Sequence, residues 1–152
     1  MPGMPKSACK LAVCLCALAP AVALAALGDL AQSIELDRAQ LNASARIVTA
    51  PRYTVYELAA PGGTIVREFV APSGIVFAIA WRGPFMPDLR QALGAYFEPY
   101  QSAVRTNSAG HGQVSVAEPD LVVNSGGHQR AFFGQAYLPQ ALPPGVSSDE
   151  LR

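Results

Sequence analysis

The chain has 152 residues, 51% of them hydrophobic, with eleven basic and eleven acidic side chains and a formal net charge of zero. That length suits one domain with a modest core. No two basic residues stand side by side, which excludes the clustered positive charge that a nucleic-acid partner demands.

Lys6 and Lys10, the apolar run Leu11 to Leu18 and the small-x-small stretch Ala23-Leu24-Ala25 have the layout of a secretory signal peptide. Cleavage is expected near Ala25, so that residues 1–25 leave and an exported chain of 127 residues remains, periplasmic or secreted and without a membrane span. Cys9, Cys14 and Cys16 all lie in this leader, so the mature chain is expected to hold no disulfide and no thiolate metal site. Both lysines leave as well. Nine arginines then face eleven carboxylates, a net charge of −2.

Residues 26–50 read as an N-terminal arm, loosely docked, with a short helix from Ser33 to Leu41. Tyr53 to Ala60 and Thr64 to Val70 flank Pro61-Gly62-Gly63, a hairpin composition. A two-residue loop would set Glu57 against Glu68. A three-residue loop sets Glu57 against Arg67, Val55 against Phe69 and Leu58 against Val66, and is favoured for that reason.

Ala71-Pro72-Ser73-Gly74 then turns the chain into Ile75 to Trp81, seven consecutive apolar residues that predict a buried central strand. Regular alternation would put Ile75, Phe77, Ile79 and Trp81 on one face and Val76, Ala78 and Ala80 on the other. Glu68 shares its face with Val66 and Val70 and is expected opposite Phe77. A carboxylate there needs a donor or a proton. Arg82 and Arg130 are its expected ion-pair partners.

Pro87 and Asp88 open a helix whose apolar stripe is Leu89, Ala92, Leu93, Tyr96, Phe97 and Tyr100, ended or kinked by Pro99. Gln113 to Glu118 and Leu121 to Asn124 are short strand candidates. Ser125-Gly126-Gly127 reads as a hairpin turn and His128 to Leu138 as the last strand, where Gly134 marks a bulge or a close backbone approach. Pro139 onward reads as an extended strap or tail ending in disorder.

The expected fold is therefore α+β: an antiparallel meander sheet of about five strands with one main helix, Pro87 to Phe97, packed on a face. Residues 51–138 form the domain, and residues 139–152 its strap or tail.

Chemistry is sparse. Ser125 or Ser73, Asp120 and His128 could make a serine-histidine-acid set, but no Gly-x-Ser-x-Gly elbow accompanies them, and His128 fits a strand-edge residue bonded to a backbone carbonyl. No metal-ligand spacing and no cofactor motif occurs. Glu57 and Glu68 project to opposite faces, which makes them a poor catalytic pair. The sharper alternative is a polar ligand- or partner-binding pocket made by Glu68, His128 and Arg130 against Trp81. Phe132 and Phe133 point to opposite faces, leaving one aromatic sheet face for an envelope protein or an apolar ligand.

Arg67-Glu68-Phe69-Val70, Gly74 through Pro84, Pro87-Asp88-Leu89, Leu93 to Phe97 and Gly126 to Phe132 together resemble a family of small exported bacterial proteins, the domain-of-unknown-function family numbered twenty-eight forty-four. That resemblance covers nearly the whole mature chain. It implies a leader-bearing envelope protein and no assigned activity. The functional expectation is a non-enzymatic envelope binding or accessory module, with a small hydrolase using His128 and a structural subunit of a surface assembly as alternatives.

Overall fold

The computed structural model describes residues 27–106 and 113–152. The leader with its three cysteines, the expected cleavage site and His111 lie outside the described residues.

Seven strands form one antiparallel sheet: β1 (Ser44–Thr49), β2 (Thr54–Ala59), β3 (Ile65–Val70), β4 (Val76–Gly83), β5 (Gln113–Ala117), β6 (Val122–His128) and β7 (Ala131–Tyr137). Their spatial order is β1-β2-β3-β4-β7-β6-β5. The helices are α1 (Ile34–Gln40), α2 (Leu89–Leu93) and α3 (Phe97–Thr106). The class is α+β, but the sheet is larger than the five strands expected. One added strand is β1, which lies in the segment read as an arm. It is exposed along its whole length, so it lacks the alternation of buried and open positions that betrays a strand.

β4 is fourth of seven and is buried from Val76 through Trp81. An apolar run without polar alternation belongs where both faces are covered. Each of its larger side chains contributes about 1.5–3 kcal/mol by leaving water. The β2–β3 hairpin has the register that charge placement favours: Glu57 against Arg67, Val55 against Phe69 and Leu58 against Val66. Arg67 Nε lies 2.8 Å from Glu57 Oε2. This part-exposed pair adds at most about 1 kcal/mol, and its main effect is on register.

Regular alternation fails at one place. Phe69 pairs with Ala78 but Val70 pairs with Val76, so Phe77 is an extra residue, a β-bulge. The bulge turns Phe77 over. It packs with Ala78, Ala80 and Phe69, while Val76, Ile79 and Trp81 form the other face. Glu68 lies opposite Ile79, where Phe77 was expected, because the bulge adds one residue and the Ala71–Ile75 hydrogen bond shortens the turn to Pro72-Ser73-Gly74.

The first face carries the helices. Leu58, Val66, Val70, Ile79, Trp81, Val123 and Ala136 meet Ile34, Leu93, Tyr100 and Ala103 there. The N-terminal segment is not loose: Leu27 N donates to Ala92 O at 3.0 Å, Gly28 N to Val76 O at 2.8 Å and Ala31 N to Gly74 O at 2.8 Å. Leu27 and Ile34 are almost fully buried.

The expected single helix is two. Asp88 is the N-cap of α2, its carboxylate accepting from Arg90 N at 2.9 Å and Gln91 N at 3.4 Å. The break comes at Gly94, whose φ of 50° leaves the helical region. Pro99 then stands in the first turn of α3, where a missing N–H costs no hydrogen bond, so it helps begin a helix that it was expected to end.

The second face carries the C-terminal strap. Leu151 is fully buried among Phe69, Phe77, Ala78 and Ala80, and Leu142 and Val146 pack beside it. Tyr53 meets Phe69 edge-on at 5.7 Å between ring centroids. Arg52 donates to the Gly145 carbonyl and Arg67 Nη1 to the Arg152 carbonyl at 2.5 Å. A Ser147–Glu150 capping box closes the last turn. The strap therefore does not end in disorder.

Candidate functional site

Parity on β3 sends Glu68 inward with Val66 and Val70, and only 1% of it is exposed. Its partner is another acid. Asp37, on α1 and 4% exposed, hydrogen-bonds the Glu68 carboxyl. Asp37 Oδ1 also accepts from Gln91 Nε2 of α2 at 2.7 Å. Burial first, then the charge and hydrogen bond of Asp37, push the Glu68 pKa up to about 9. Two carboxyls sharing a hydrogen bond need a proton between them, and the direction of this shift favours the protonated form of Glu68. Arg82 and Arg130, the expected cationic partners, lie elsewhere: Arg82 alternates to the strap face, and Arg130 sits in the β6–β7 turn. Glu68 Oε2 and Trp81 Nε1 are buried without a hydrogen-bond partner among the described residues. Neither of the two cavities described below is lined by Glu68 or Asp37, and through the Gln91 hydrogen bond this pair ties α1 and α2 to the sheet.

The concave feature lies on the strap face, beside the strap's end. A groove of about 680 Å³ runs over β3, β4, β7 and β6. Ala80 and Gly134 floor it, Ile65 and Phe133 wall it, and Arg67, Arg82, Arg152, Asn124 and Gln135 supply its polar atoms. Phe133 is 50% exposed and Ile65 36%, unusual for large apolar side chains on a sheet. Gly134 gives the floor only its backbone, because its absent side chain would point to the opposite face, toward Trp81. A Cβ there would stand 2.2 Å from Trp81 Cζ2, so the indole crosses β7 only because position 134 is glycine. This is the close approach expected at Gly134.

A second cavity, about 330 Å³, adjoins the first through Arg82 and Phe133. His128, Arg130, Gly127, Pro84 and Phe132 complete its lining. The β6–β7 turn that carries it is not at Ser125-Gly126-Gly127. β6 runs on to His128, and Gln129-Arg130 makes the turn, with Arg130 at a φ of 66°. His128 Nδ1 lies 3.2 Å from the Gln129 carbonyl oxygen, the backbone contact expected of a strand-edge histidine.

Of the four residues singled out in the sequence, Trp81 borders the groove while its side chain stays in the core, and His128 and Arg130 line the adjoining cavity. Glu68 is on the other side of the sheet. Local sequence does not bring Arg67, Arg82 and Phe133 together, which the β3–β4–β7 pairing does on the strap face. The serine-histidine-acid set does not form. Ser125 and His128, three residues apart on β6, project to opposite faces. Asp120 precedes β6 and Ser73 precedes β4, each separated from His128 by a strand length on the order of 20 Å.

Among the described residues no group of three or more His, Cys, Asp or Glu could hold a metal ion, and no helix is long and apolar enough to cross a membrane. No curated protein and no solved structure matches the chain. Residues 23–151 match the family described as "Protein of unknown function (DUF2844)", and the chain belongs to that family.

Proposed function

We propose that this is an exported, non-enzymatic binding or accessory module of the cell envelope, which takes its partner or ligand in the groove on the strap face. One observation carries the reading: a solvent-open groove of about 680 Å³ with Phe133 half exposed on its wall, of a size that suits a ligand or a partner side-chain cluster. His128, Arg130 and Trp81 belong to the rim of that site. Glu68 serves it from the far side by holding the sheet and helices together. Export is supported by the sequence of the first 25 residues.

Site-specific photocrosslinking in the native envelope tests this. A photoreactive residue at position 133 or 65 is expected to give discrete adducts, whereas one at Leu36, exposed on α1, gives none. Adducts from position 36 alone, or from no position, contradict it.

A second reading, a structural subunit of a surface assembly, has its own observation. β1 ends the sheet with Ile47 59% and Val48 43% exposed, and among the described residues no strand pairs with its outer edge.

A further inference from the structure

The charges around the two joined cavities differ from those of the chain as a whole. The chain balances eleven basic against eleven acidic residues, yet the described residues lining the cavities include Arg67, Arg82, Arg130, Arg152 and His128 and no acidic side chain. Arg67 is committed to Glu57, and Arg152 lies 3.5 Å from Asp149. Arg82 and Arg130 make no hydrogen bond or ion pair among the described residues. Both line the smaller cavity, with His128 beside them. That cavity shares Arg82 and Phe133 with the larger groove, where Ile65, Ala80 and Phe133 supply apolar surface beside Arg67 and Arg152.

Arginines line both cavities and the larger one adds apolar walls and floor, an arrangement complementary to a molecule with an anionic head and a hydrocarbon body. We infer that the groove binds a monomeric anionic amphiphile, its carboxylate or phosphate head held by Arg82 and Arg130 and its hydrocarbon body laid along Ile65, Ala80 and Phe133. Guanidinium groups suit this task because they offer paired N–H donors to the oxygens of such a head. The apolar body contributes by leaving water over the exposed phenyl ring. This inference rests on the groove reading above and adds the class of ligand.

Isothermal titration calorimetry on the protein expressed from its full sequence tests it. The probes are dodecanoate below its micellar concentration, dodecyltrimethylammonium, acetate, and vesicles of phosphatidylglycerol. Dodecanoate is expected to bind one per chain and at least about ten-fold more tightly than the cationic amphiphile, with acetate too weak to detect. Arg82→Gln and Arg130→Asn should each weaken dodecanoate roughly ten-fold and leave the cationic amphiphile unchanged. Asn is chosen at position 130 because it tolerates the positive φ. Both arginines are exposed, so the variants should keep the parent's melting temperature, which is measured alongside.

Equal binding of the two amphiphiles, or unaltered dodecanoate binding by both variants, overturns the anionic class. Binding to vesicles alone overturns the free amphiphile in favour of a membrane surface. If dodecanoate fails while position 133 still crosslinks, the ligand class is wrong and the groove stands. If position 133 crosslinks nothing and no amphiphile binds, the groove reading itself has failed.

Discussion

Glu68 is the residue whose environment makes the sharpest prediction. A carboxyl whose folded pKa is near 9, against about 4.5 when unfolded, binds more protons in the native state throughout that window. Stability should therefore fall as pH rises from about 4.5 toward 9, by at most about 1.4 kcal/mol per pH unit. This is opposite in sign to a salt-bridged acid. Melting curves at pH 5.0 and 8.5 should show the higher midpoint at pH 5.0, and Glu68→Gln, which needs no proton to stay neutral, should shrink that difference. An unchanged difference in the variant would assign the pH dependence to other groups. At Gly134, substitution by Ala drives a methyl into the Trp81 ring. The cost should be about 1–3 kcal/mol in urea unfolding, with a shift in emission from Trp81, the one tryptophan of the chain.

At the scale of elements, β1 is one of the two edge strands of the sheet and the one least supported by side-chain burial. Ile47 and Val48 face opposite sides of the sheet, so each offers an apolar contact to an added strand. Sedimentation velocity should detect concentration-dependent self-association that Ile47→Lys reduces, because a charge on an edge strand disfavours further pairing. A monomer at every concentration would remove the support for the assembly reading. The elements also show where local sequence suffices. The β2–β3 register was legible because Glu57, Arg67 and Glu68 allow only one favourable pairing. β1 was not, since Ser-Ala-Arg-Ile-Val-Thr is open on both faces and has no buried stripe to announce it. Pro99 misled because the same missing N–H that breaks a helix interior is harmless in a first turn. Gly126-Gly127 misled in a similar way. Their composition signals a turn, but glycine here accommodates Phe133 and the β6–β7 backbones, and the chain reverses at Gln129-Arg130.

For the whole molecule, the plan is one sheet covered twice, by helices on one side and by the strap on half of the other. The central strand was readable from its seven apolar residues, while the side each residue faces was not, because the Phe77 bulge changes parity midway. The strap's composition signals only an extended tail ending in disorder, since Leu142, Val146 and Leu151 are too widely spaced to announce a packed segment. The groove was legible only in part. His128, Arg130 and Trp81 came from the sequence as unusual residues, but their relation to Arg82 and Phe133 depends on β7 returning beside β4, a pairing that local composition does not encode. Likewise Asp37 is 31 positions from Glu68, and nothing near either residue announces the contact. The uncovered part of the strap face is what distinguishes this plan from a closed structural block. An amide chemical-shift map of the protein titrated with dodecanoate measures it most directly. Changes confined to Ile65, Arg82, Arg130, Phe133, Gly134 and Gln135 are the predicted result, whereas changes centred on α2 and α3, or none at saturating ligand, would contradict it.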